Sequence, residues 1–190
     1  MSTVLDYSQR HAARTTEYLR MGESGVFAPD ARLRLLEGEI VELAPIASWH
    51  AGAVKILNRL FGRFVGEKAI VSVQDPLIIG ERSVPQPDLV LLKPRADSHA
   101  SAHPTPADVL LVVEIADSTL AFNLGTKVPL YARHGVPESW VVDQGERVIR
   151  VFRDPSASGY RMSFTVAVGE SISPSALPDV GIAVAELFPE

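Results

Sequence analysis

The chain of 190 residues reads as one α/β domain of the α+β kind, a central mixed sheet flanked by helices. Three observations predict this. With 46% hydrophobic and 22% charged residues, the chain is long and apolar enough for a substantial core and too apolar for disorder. Apolar residues recur at three- and four-residue steps in two segments, which is helical spacing. Around these segments the pattern changes to short β-branched runs broken by proline and glycine, which reads as strands.

Residues 1–25 are expected to form an N-terminal helical arm, in which Thr15, Thr16, Glu17, Tyr18, Leu19 and Met21 make one short helix ended by Gly22 and Gly25. Residues 26–190 follow as a single domain, since no linker splits them. RLRLLEGEIVEL predicts a hairpin from Arg32 to Leu43 that turns at Gly38 and is closed by Pro45. Ser48 can cap a helix with Val54, Leu57, Leu60, Phe61, Phe64 and Val65 on its buried face, and Gly66 stops it. AIVSVQDPLII, DLVLL and VLLVVEI then read as strands, with a proline-punctuated loop over residues 93–108. FNLGTKVPLYARHG resumes helical spacing, with Lys127, Leu130, Tyr131 and His134 on one face and Pro129 in the first turn. SWVVD and RVIRVF form a second, C-terminal hairpin around Gln144 and Gly145. A further strand and a short helix near Val184 to Phe188 complete the tail.

Composition excludes several functions. No apolar run approaches the roughly 18 to 20 residues of a membrane span, and the N-terminus lacks a signal-peptide stretch, so a cytoplasmic protein with no membrane partner is expected. The absence of cysteine rules out disulfides and thiolate metal sites, leaving carboxylate, histidine or backbone oxygen as metal ligands. A net charge of −5 argues against the broad basic surface typical of nucleic-acid binders.

The chemistry concentrates on DLVLL and VLLVVEI. If the two strands pair antiparallel with Asp88 opposite Glu114, then Val90 meets Val112 and Leu92 meets Leu110, and period-two alternation puts all six on one face. Like charges opposed at about 5 Å are unfavourable unless a proton or cation intervenes. A divalent ion answers that need, and hard oxygen ligands favour Mg²⁺ or Mn²⁺, with the Ile115 carbonyl as a further donor. Lys127, on the following helix, can swing over the pair and orient a water or stabilise charge on a phosphoryl group. The competing reading is plain: an acid at a strand end is commonly a solvated edge residue, and a helical lysine is commonly at the surface.

The strings SVPQPDLVLL, LLVVEIADSTL and K-x-x-x-YARHGVPESWVVD, together with LLEGEIVELAP, His50 and VQDPL, closely resemble the Uma family of putative restriction endonucleases, a branch of the PD-(D/E)xK nuclease superfamily. The resemblance runs from about Arg34 to the C-terminal helix. It implies a restriction-endonuclease-like core with Asp88 and Glu114 as metal-binding acids. The superfamily lysine position, two residues after the glutamate, is Ala116 here, and Lys127 is the counterpart such relatives use. Gln74 and Gln86 occupy positions where polar residues flank the site in similar proteins. Two departures stand out: relatives commonly carry glutamate where this chain has Arg34, and aspartate where it has Asn123. Glu37 or Glu39 is a possible replacement for the first acid, although Glu37 also suits the hairpin turn. Arg34 could instead pair with a site carboxylate and occupy the cation's place.

His50 is divided evenly between a site role and a structural one. His99 and His103 read as a solvated loop, and His134 as a helix-end histidine. Trp49, Trp140 and Tyr131 read as core or interface anchors, and Arg147, Arg150 and Arg153 as solvated surface. The function these features imply is Mg²⁺-dependent hydrolysis of DNA phosphodiester bonds by a homodimer. A binding or scaffold protein that has lost the chemistry, and a metal-dependent hydrolase of a smaller phosphorylated substrate, are the alternatives.

Overall fold

The computed structural model describes residues 11–28, 30–42 and 47–188. Helix α1 (Thr15–Glu23) packs Tyr18 against Leu35 and Val84, and the Tyr18 hydroxyl donates to the Leu33 carbonyl at 2.9 Å. Strands β1 (Leu33–Leu36) and β2 (Glu39–Glu42) form the predicted hairpin. Its turn residues, Glu37 and Gly38, are both left-handed, with φ of 51° and 89°. At Gly38 a side chain would also strike Ala12, whose Cβ lies 2.7 Å from an ideal Cβ there, so glycine is required twice over. The arm's residues 1–10, Leu43 and Pro45 lie outside the described residues.

Helix α2 (Ser48–Val65) buries Val54, Leu57, Leu60, Phe61 and Val65 and ends at Gly66, as its spacing predicts. Phe64 departs from that expectation and is exposed. The main sheet has six strands in the order β3-β4-β5-β6-β7-β8, comprising β3 (Ile70–Ser72), β4 (Leu89–Leu92), β5 (Val109–Ala116), β6 (Glu138–Asp143), β7 (Val148–Ser156) and β8 (Gly159–Ala167). Every neighbouring pair is antiparallel except β5 and β6. A parallel pair needs a crossover, and the helical segment over residues 120–133 supplies it. The short strands β9 (Ser171–Ile172) and β10 (Ile182–Ala183) pair at the C-terminus, and a 3₁₀ turn (Val184–Leu187) closes the chain against α2.

Alternation divides the core between the two sheet faces. Leu111, Val113 and Ile115 of β5 join Leu57, Phe61 and Trp140 on the α2 side, while Val90 and Val112 join Leu130 and Tyr131 on the other. Two strand expectations need correction. AIVSVQDPLII is a strand only over Ile70–Ser72; beyond it Leu77 and Ile79 turn back onto Pro85 and Ser83 through backbone bonds of 2.9 Å, because Pro76 interrupts the ladder. Leu92 pairs with Val109 rather than Leu110, since a bulge between Leu91 and Leu92 shifts the register. Leu110 consequently packs on the α2 side.

The crossover helix also differs from expectation. It begins nine residues before Pro129, as α3 (Leu120–Phe122), a π-helical segment (Asn123–Lys127) and α4 (Val128–Arg133). Pro129 has no N–H for a bond one turn back, and the Val128 N–H reaches five residues back to the Asn123 carbonyl. Of the arginines expected at the surface, Arg147 is exposed and donates to the Phe188 carbonyl, while Arg150 and Arg153 are half-buried and anchored to Asp143 and to buried Glu138.

Candidate active site

The β4/β5 register brings the two acids together. Leu89 pairs with Val113, so Asp88, one residue before β4, comes opposite Glu114. Both residues are buried, at 7% and 1% exposure, and both line a cleft of about 150 Å³. Each has its own set of donors. Asp88 Oδ2 accepts the Ile115 N–H at 2.8 Å, and its Oδ1 lies 2.7 Å from His50 Nε2 and accepts Gln74 Nε2 at 3.2 Å. Glu114 Oε2 accepts Lys127 Nζ at 2.7 Å, and its Oε1 accepts the Tyr131 hydroxyl at 2.5 Å.

The local sequence explains these placements. His50 stands in the first turn of α2, close to the beginning of β4. Gln74 follows β3 in a left-handed conformation with φ of 56°, an uncommon state for a residue with a side chain. Lys127 ends the π segment and Tyr131 follows four residues later, so both reach the same acid from one helix face. A strand residue presents its N–H and C=O to the same edge, so the Ile115 carbonyl faces β4 as its N–H does. The register continues to Pro87 at that point, and proline has no N–H to offer that carbonyl.

Electrostatics separates the two carboxylates. Burial pushes Asp88 upward, but the hydrogen bond and charge of His50, the Ile115 N–H and Lys127 together outweigh it, and Asp88 lies below the ordinary 3.8. Burial raises Glu114 above the ordinary 4.5; Lys127 and Tyr131 oppose the rise, and the facing charge of Asp88 adds to it. Burial, then Glu114, holds the Tyr131 phenol well above 10.0, so it is an O–H donor at neutral pH.

The other sequence-predicted residues fall on both sides of the cleft wall. Gln86 lines the cleft. Glu37 does not: it sits in the hairpin turn, exposed, with its carboxylate 2.7 Å from Arg133. Arg34 is buried and lines the cleft, but among the described residues it forms no ion pair with either acid, contrary to the expectation that it occupies a cation's place. Asn123 lines the same cleft from the π segment. Sequence reasoning missed the Tyr131 hydroxyl as a site group, although its four-residue spacing from Lys127 was a usable signal. Ser118 and Thr119, which also line the cleft, carried no signal in the sequence.

A mixed sheet in which two adjacent strands present opposed acids, with an amine from the next helix, defines a restriction-endonuclease-like protein. Residues 15–185 match the Uma2 family, described as "Putative restriction endonuclease", and the chain belongs to that family. The fold is shared with the crystal structure of a putative nuclease belonging to DUF820 from Anabaena variabilis, at TM-score 0.72 and 15% identity, over 93% of this chain and 97% of the other. No curated protein matches the chain.

Proposed function

We propose that the chain is a metal-dependent endonuclease that hydrolyses DNA phosphodiester bonds. The carrying observation is the convergence of Asp88, Glu114 and Lys127 on one cleft in a chain of the Uma2 family. Among the described residues no cluster of three or more His, Asp or Glu could hold an ion alone. The donor set is therefore two carboxylates and the Ile115 carbonyl, with water completing the shell. Mg²⁺ commonly binds through one or two carboxylates and retains waters, so these residues fit Mg²⁺ or Mn²⁺.

When bound, such an ion neutralises charge on the phosphoryl oxygens and lowers the pKa of its water. The chain's own residues do the rest. His50 and Gln74 fix the orientation of Asp88, and Tyr131 fixes that of Glu114. Lys127, held by Glu114, has ammonium hydrogens to align an attacking water and to stabilise negative charge at phosphorus. Arg32, Arg34 and Lys127 in the cleft wall balance the charges of Asp88, Glu114 and Asp117, so the overall charge of −5 is not concentrated there. The proposal extends to a cytoplasmic homodimer. Among the described residues no helix is long and apolar enough to cross a membrane, and exposed Met162 and Phe164 on edge strand β8 support self-association.

Plasmid cleavage with Mg²⁺ or Mn²⁺ tests the reading. Lys127→Ala is expected to cut about 100- to 1,000-fold more slowly than wild type, and Asp88→Ala more slowly still. Equal cutting by all three preparations would overturn it.

A further inference from the structure

Beyond its charge, Arg34 has no role in the proposed chemistry. It lies on β1, on the same strand face as Leu36, which packs with Val90, Val112 and Tyr131. The residue is buried, at 7% exposure, yet it borders the open cleft that holds Asp88 and Glu114. One guanidinium nitrogen donates to its neighbour's carbonyl, Nη1 to Leu33 O at 2.7 Å. Its Nε–H is buried and has no partner.

That combination is unusual for arginine. A buried guanidinium normally has its donors filled by carboxylate or carbonyl oxygens, since an unpaired N–H away from water is unfavourable. Both nearby acids already have other partners, Asp88 in His50 and Gln74, Glu114 in Lys127 and Tyr131. Burial, with the like charge of Arg32, lowers the Arg34 pKa from the ordinary 12.5, and the charges of Glu114 and Asp88 oppose that shift. A guanidinium stays protonated at neutral pH, so Arg34 places a cation at the wall of a cleft that also holds Lys127. Its planar fork matches the geometry of two phosphate oxygens, which a lysine cannot reproduce.

We infer that Arg34 is an anion-binding residue, which takes a phosphate oxygen of the substrate through the part of its guanidinium that borders the cleft. The inference rests on the reading of the cleft as a phosphodiesterase site and specifies how that site holds its substrate. It contrasts with an arginine that replaces the metal: such a residue would be clamped to Asp88 or Glu114, and Arg34 is not.

The test is calorimetric titration of the full chain in EDTA with two probes, inorganic phosphate and a short DNA oligonucleotide. The variants are Arg34→Met, Arg34→Lys and, as a control outside the cleft, Glu37→Gln. Arg34→Met is expected to weaken whichever probe binds wild type by about tenfold or more, the scale of one charge-assisted hydrogen bond. Arg34→Lys recovers part of the loss, and Glu37→Gln binds as wild type does. Far-ultraviolet circular dichroism checks that each variant is folded, and the lysine variant keeps the test decisive should the methionine variant fail to fold. Wild-type affinity in Arg34→Met, or in Arg34→Lys no recovery beyond Arg34→Met, overturns the inference, as does wild type binding neither probe. Phosphate binding lost in Arg34→Met without any metal-dependent cleavage by wild type would remove the endonuclease reading and leave the anion site standing.

Discussion

Asp88 and Glu114 face one another across two paired strands, yet the fold treats them oppositely. Asp88 is surrounded by groups that favour its ionised form: a backbone N–H, an amide and an imidazole. Glu114 is more deeply buried and relies on one amine and one phenol. The first is held below the ordinary carboxylate value and the second above it. Two acids a strand apart thus acquire different proton affinities from their surroundings alone, which is how a site assigns different tasks to identical chemical groups.

The largest expected effect comes from removing the cation on the Glu114 side. Lys127→Met leaves a buried acid without its charge partner, a loss of about 3 to 5 kcal/mol when the acid is ionised. Glu114 can escape by taking a proton, since its pKa is already raised and rises further without the ammonium. The destabilisation in urea titrations should therefore be large at pH 8 and shrink toward pH 5. A pH-independent loss would break the contrast between the two acids. Tyr131→Phe is the next test, because it deletes one hydrogen bond to the same acid and keeps the ring; about 2 kcal/mol is expected in the same assay.

Asp88→Asn should give the smallest change, about 1 kcal/mol, because the amide keeps an acceptor for the Ile115 N–H. Its pH dependence has the opposite sense. A carboxyl whose folded pKa lies below 3.8 stabilises the protein above that value and loses its contribution as pH falls through the folded value. Wild type and Asp88→Asn should therefore differ most near neutral pH and converge in acid, and divergence in acid would reverse the assignment.

The placement of the acids was legible because period-two alternation is rigid: once DLVLL and VLLVVEI pair with Val90 opposite Val112, Asp88 and Glu114 cannot point apart. The helical face carrying Lys127 and Tyr131 was equally legible from spacing. The Leu91/Leu92 bulge was not, since either neighbour of that position is apolar and no pattern marks the extra residue. Nor was the π segment, whose sequence NLGTK carries no mark that separates a π turn from an α turn. His50 and Tyr131 show a third limit. A hydrogen bond between side chains 38 or 17 residues apart depends on tertiary placement, and residue type alone leaves a histidine or tyrosine open to several roles.

Pro87 limits the sheet at the point where the cleft opens. Any other residue there could offer a hydrogen to the strand beside it and extend the pairing by one rung. An imino acid cannot form that rung. The ladder thus lacks a donor for the Ile115 carbonyl by covalent structure, and a Pro87→Ala change would supply one.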